Sequence, residues 1–267
     1  MTLIFNGDFS TGGKGQWPRG TDECPPDTSI TVGTAADGFP VRSGTYSCAF
    51  QALRGGGCFN DTSWRAEIVG PNVNRGSNYF LGFSFFQPTS SGSGRGISWS
   101  PWPAKNGLIA QQCRSLNAAT GNNVDLRING TGGTATPNCI EVGSSKIGGW
   151  CGLNTRGGWH DFVFQQLFDT GGWVSLWHRQ PGQSGYTQVL NRASANTINS
   201  GATGVYVKYG MYQPSSTVAA PATIFGSGMR IATTFEEAAP PFFGGIAPPP
   251  PPSSTDTAPP TVTITSP

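Results

Sequence analysis

GVYVKYGMYQ, residues 204–213, alternates with a period of two. Successive side chains of a β-strand point to opposite faces. Val205, Val207, Tyr209 and Met211 therefore fall on one face, and Tyr206, Lys208, Gly210 and Tyr212 on the other. The first is a core face. The second carries two phenols, an ammonium and a glycine that leaves room for a ring to approach the backbone, which suits a surface that touches a ligand. The same period recurs in SWRAEIVG (63–70), NYFLGFSFFQP (78–88), GLIAQQC (107–113), NVDLRI (123–128), WHDFVFQQLF (159–168) and WVSLWH (173–178). The 267 residues include 39 glycines and 22 prolines to make turns, and 16 Phe, 8 Trp and 6 Tyr to fill strands. The chain therefore reads as all-β, a sandwich or jelly roll.

A net charge of +2, with no basic run and no phosphate loop, excludes a typical nucleic-acid binder. An extended anionic ligand held by a few placed cations fits it. The longest apolar run, near residues 80–86, is far shorter than the roughly 20 residues of a membrane span. Six cysteines (Cys24, Cys48, Cys58, Cys113, Cys139 and Cys151) form no C-x-x-C pair. They are expected to pair as disulfides and to mark an exported protein whose signal peptide has been removed. After GMRIATTFEEAAP the composition changes to PFFGGIAPPPPPSSTDTAPP. The expected division is a globular domain over 1–237, a semi-rigid Pro-rich linker over 238–260 and, at 261–267, the truncated start of an immunoglobulin-like module. The domain is expected to be monomeric within a larger modular protein.

Alternation puts Arg65 and Glu67 of WRAEI on one face, and Ile109, Gln111 and Cys113 of LIAQQC on one side. If the polar faces line one sheet, it gathers Arg65, Glu67, Gln111, Tyr206, Lys208 and Tyr212. Arginine, lysine and a carboxamide suit a carboxylate, while tyrosines suit sugar rings and proton transfer. That inventory matches β-elimination from a uronic-acid polysaccharide. The C5 proton beside an ionised carboxylate is very weakly acidic, so the charge developing there must be stabilised. Arg65 and Gln111 answer that need. Tyr212, its pKa lowered by a nearby cation, is the candidate base and then acid. Lys208, four residues away and roughly 13 Å along a strand, serves a neighbouring subsite. Taken singly, each residue has a plain structural reading: Arg65 with Glu67 as a solvated pair, the tryptophans as packing, His160 and His178 as structural.

The same residues carry a resemblance. YVKYGMYQ is similar to the Tyr-x-Lys-x-Gly-x-Tyr signature of the jelly-roll polysaccharide lyases, which include alginate, glucuronan and heparin lyase I-type enzymes. WRAEI resembles their Arg-x-Glu motif, and IAQQC the strand bearing Gln-x-His. The resemblance implies a concanavalin-like β-jelly-roll sandwich with a concave substrate cleft. It further implies a secreted, endo-acting lyase of a glucuronan- or alginate-type polymer, with Tyr212, Gln111 and Arg65 catalytic and Lys208, Tyr206, Glu67 and His160 binding substrate. No cofactor or catalytic metal is required; a structural Ca²⁺ is compatible with such folds, but no Asp-rich loop predicts one. One position departs, because Cys113 stands where Gln-x-His has histidine. Three readings answer it: Tyr212 is both base and acid, His160 reaches the cleft from another strand, or the domain is a non-catalytic carbohydrate-binding module. A Cys113 disulfide-bonded to Cys139 or Cys151 could not be a base. A glycoside hydrolase on a related jelly roll needs two carboxylates, for which only Glu67 with Asp125 or Glu141 is available.

Overall fold

The computed structural model describes residues 2–18, 30–52, 63–100, 107–115, 124–129, 139–143, 151–153, 155–214 and 222–241. Its strands are β1 (Leu3–Gly7), β2 (Ile30–Thr34), β3 (Tyr46–Ala52), β4 (Ser63–Asn74), β5 (Asn78–Phe86), β6 (Gly92–Gly94), β7 (Ile97–Trp99) and β8 (Gly107–Ser115). They continue with β9 (Val124–Asn129), β10 (Cys139–Gly143), β11 (Cys151–Leu153), β12 (Trp159–Leu167), β13 (Gly172–Arg179), β14 (Thr187–Ala195), β15 (Gly204–Pro214) and β16 (Ala222–Ala232). One short helix, α1 (Phe235–Ala238), follows, its first turn capped by the Thr234 hydroxyl accepting from the Glu237 N–H. The seven stretches with a two-residue period quoted above are all strands.

Two antiparallel sheets make the sandwich. The larger runs β14-β13-β12-β5-β16-β3-β2, with β1 paired to the second half of β16; the smaller runs β11-β10-β9-β8-β15-β4. Strands distant in sequence lie side by side, β15 between β4 and β8 and β16 between β3 and β5, as in a jelly roll. Between the sheets, Phe83 and Phe85 of β5, Phe162 and Phe164 of β12 and Met229 of β16 meet Ile68 of β4, Leu126 of β9 and Val205, Val207, Tyr209 and Met211 of β15. Burying each large side chain contributes about 1.5–3 kcal/mol. Tyr209 keeps its polar end satisfied at full burial by donating its hydroxyl to the Ser84 carbonyl.

The far face of the larger sheet is covered by the end of the described chain. Phe235, Ala238 and Ala239 pack with Val163 and Trp177. A Cβ on Gly82 would stand 1.8 Å from the Ala238 carbonyl oxygen, so only glycine permits this approach. Asp161 accepts from Arg42, Arg179 and Ser84, and Arg179 and Tyr186 in turn donate to the Pro240 carbonyl at 2.7 and 2.5 Å. Residues 238–241 thus belong to the packed body, and the boundary read from composition at 237 falls inside α1. The proline run and the tail lie outside the described residues.

Cys48 departs from the expected pairing. Cys48 is a free thiol on β3 with no exposed surface, and burial pushes its pKa up. It acts as a small core side chain. Cys113 of β8 is separated from Cys139 of β10 by the whole of β9, about 9.6 Å at two strand spacings, beyond the roughly 7 Å that a disulfide bridges between Cα atoms. Cys151 is one strand further. Cys24 and Cys58 lie outside the described residues. Among the described residues no helix is long and apolar enough to cross a membrane.

Candidate active site

β15 runs through the smaller sheet with its core face in the sandwich, so Tyr206, Lys208 and Tyr212 take the outer face. Strand register assembles their neighbours. Tyr212 pairs with Arg65 of β4 and with Leu108 of β8, which pairs with Arg127 of β9. Lys208 pairs with Gln111 of β8, which pairs with Asp125 of β9. Directly paired residues share a face, with Cα atoms about 4.5–5.5 Å apart. Arg65, Gln111, Lys208 and Tyr212, four of the residues singled out in the sequence, therefore belong to one face on three adjacent strands.

The polar centre of this face is buried. Lys208 Nζ lies 3.7 Å from Glu67 Oε2 and 5.9 Å from the centroid of the Tyr206 ring. Lys208 is 3% exposed, Glu67 2% and Asp125 1%, while Tyr212 is half-buried. Glu67 and Lys208 were read as groups offered to substrate, yet here they answer each other. Low dielectric strengthens such a pair, and each partner supplies a counter-charge to the other where water cannot.

Two sequence readings need correction. Gly210 was read as space for a sugar ring. Its φ is +139°, and a Cβ there would lie 2.2 Å from the Ala66 carbonyl oxygen and 2.8 Å from the Phe50 ring. The glycine is required by the close approach of β15 to β4 and to the core. The sequence places His160 among the substrate ligands, reaching the cleft in place of the missing histidine. It lies instead between the sheets with no exposed surface, its ring 5.2 Å from that of Phe85. His160 Nε2 donates to the Thr155 carbonyl at 2.9 Å, so its Nδ1 accepts from His178 Nε2 at 3.0 Å. Both ring nitrogens are taken, and burial pulls its pKa down to about 4.

Bulges decide which residues share the face. β4 carries an extra residue at Gly70–Pro71, where proline costs no ladder hydrogen bond. β15 has an extra residue between Tyr209 and Tyr212, and β8 has one at Ile109 and another at Cys113. Each shifts alternation by one. Strict alternation set Leu108 and Arg114 on the opposite side of β8 from Gln111; register sets both in line with outer-face residues, Tyr212 and Tyr206. Arg114 joins the face in this way, while Asp125 and Arg127 reach it by plain alternation along β9, whose Val124 and Leu126 face the core. Only Asp125 carried any signal in the sequence, as a weak hydrolase candidate.

A family model described as polysaccharide lyase matches residues 9–230. The chain belongs to the polysaccharide lyases. The lyase also resembles solved structures in fold. An endo-β-1,4-glucuronan lyase from the fungus Trichoderma reesei is 17% identical with a TM-score of 0.58, covering 90% of this chain and 99% of that one. The catalytic domain of a glycoside hydrolase family 131 protein from Coprinopsis cinerea is 15% identical with a TM-score of 0.61, covering 87% and 94%. A GH131 β-glucanase catalytic domain from Podospora anserina is 12% identical with a TM-score of 0.59, covering 87% and 96%. Lyases and hydrolases thus share this architecture, so the fold does not choose between the chemistries; the family match does. No curated protein sequence matches the chain.

Proposed function

We propose that this lyase cleaves a uronic-acid polysaccharide of the glucuronan or alginate type within the chain, and that it acts outside the cell, where such polymers are met. One observation carries the reading: register sets Tyr212 opposite Arg65, and Lys208 opposite Gln111, on one face of the smaller sheet. The Tyr212 oxygen takes the C5 proton, a C4–C5 double bond forms as the C4–O bond breaks, and the phenol returns the proton to the departing glycosidic oxygen. Arg65 and Gln111 stabilise the charge that builds on the carboxylate. With His160 committed to the core, Tyr212 serves as both base and acid, an assignment that needs both protons on one side of the sugar. The glucuronan lyase of similar fold agrees with this substrate class.

The test is incubation with glucuronan, alginate and heparin-type polymers, followed by ultraviolet absorbance of the unsaturated ends and by product sizing. Early appearance of mid-sized fragments is expected. No unsaturated product from any of them would sink the proposal. Tyr212→Phe should reduce turnover by roughly 10³-fold or more with oligosaccharide affinity largely kept; retained turnover would move the proton transfer to another group.

A further inference from the structure

Alternation along β8 makes Cys113 the next residue after Gln111 on the outer face, and a cysteine offers a uronate carboxylate no positive charge. The observed pairing differs. Gln112 pairs with Val207 and Arg114 with Tyr206, so three residues of β8 span two of β15 and Cys113 is the extra one. After Gln111, the next β8 residue in line with an outer-face residue of β15 is therefore Arg114. It stands opposite Tyr206, whose ring neighbours the Lys208 ammonium. Tyr206 is also paired on its other side, with Asn72 of β4, so the Arg114 position lies in a row that crosses three strands beside the Lys208–Gln111 row.

We propose that Arg114 is a substrate-carboxylate-binding residue of this lyase, brought to the face by the one-residue bulge at Cys113. The inference rests on the uronate reading above. Lys208 lies against Glu67, so part of its charge is already answered, and a polyanionic substrate requires further cations on the same face. Arginine suits that role because it stays charged and meets a carboxylate with two parallel N–H donors.

The experiment compares wild type, Arg114→Lys and Arg114→Ala on a uronan and on its methyl ester, with oligosaccharide affinity by calorimetry and melting temperature as a fold control. On the free acid, Arg114→Ala should lose roughly 10²-fold in kcat/KM, and Arg114→Lys should fall between. On the ester, which carries no charge to meet, the loss should be much smaller, so the preference for acid over ester collapses. An equal loss on both substrates, or no loss on either, overturns the proposal. So does a gain in acid cleavage by Cys113→His, which would place the carboxylate at residue 113. If wild type binds uronan but does not cleave it, the affinity series still decides Arg114 while the lyase reading fails. If wild type neither binds nor cleaves any uronan, both fail.

Discussion

Lys208 and Glu67 show how far a residue's surroundings set its meaning. A lysine and a glutamate on a polar strand face are usually worth little, because water screens them. Here both are almost fully buried at 3.7 Å, and removing one partner leaves the other charged in a poorly solvating site. Glu67→Gln should cost about 3 kcal/mol in urea denaturation. Arg75 and Asp169 are also paired, at 2.7 Å, but with side chains 42% and 36% exposed; Arg75→Ala should cost no more than about 1 kcal/mol. Equal costs would show that burial is not what distinguishes the two pairs.

On the scale of a strand, β15 is held to its neighbours by irregularities as much as by regular pairing. Gly210 sits where β15 shifts register, with a φ that side chains rarely adopt and with the Ala66 carbonyl in the way of a Cβ. Gly210→Ala should therefore destabilise by about 2 kcal/mol or more and should also reduce turnover, because the same shift sets Tyr212 against Leu108 of β8 and so fixes its place relative to Gln111. Gly13→Ala is the contrast: it meets nothing within 4 Å and should change stability by less than about 0.5 kcal/mol. Comparable denaturation midpoints for the two variants would refute this account of β15. The bulge at Cys113 works the same way on β8, exchanging which residue faces the row of Tyr206.

Across the molecule, two buried polar systems tie the larger sheet together. Asp161 gathers Arg42, Arg179 and Ser84, and through Arg179 holds the Pro240 carbonyl. Asp161→Asn should free residues 238–241, visible as faster proteolysis there before global unfolding; unchanged cleavage would show that packing alone holds them. The His160–His178 pair is neutral in the fold, because a second proton would set N–H against N–H. Burial draws His160 down to about 4, and burial together with His160 draws His178 down to about 3, from an ordinary value of 6.5. The unfolded chain takes up these protons first, so the stability is complete above about pH 6.5 and is lost as the pH falls from there towards 4. Replacing both histidines with glutamine should flatten the melting-temperature profile between pH 6.5 and 5, above the range where most carboxylates titrate. An unchanged slope would assign the acid sensitivity elsewhere.

The two-residue period by itself determined seven of the strands, the all-β class and the core face of β15, because alternation and burial are both local consequences of an extended backbone. The motifs around Arg65, Gln111, Lys208 and Tyr212 were legible for the same reason, and register joins them. What the sequence could not settle was anything set by contacts between distant segments. His160 lies on a strand as polar as many surface strands, and only the Phe85 ring and the His178 nitrogen make it a core residue. Cys48 reads in the sequence like any other cysteine, and only the closure of the sandwich over β3 makes it a buried, unpaired side chain. Arg114 is excluded from the face by alternation and returned to it by one extra residue. A bulge is a property of two strands paired together, and no single strand's sequence contains it.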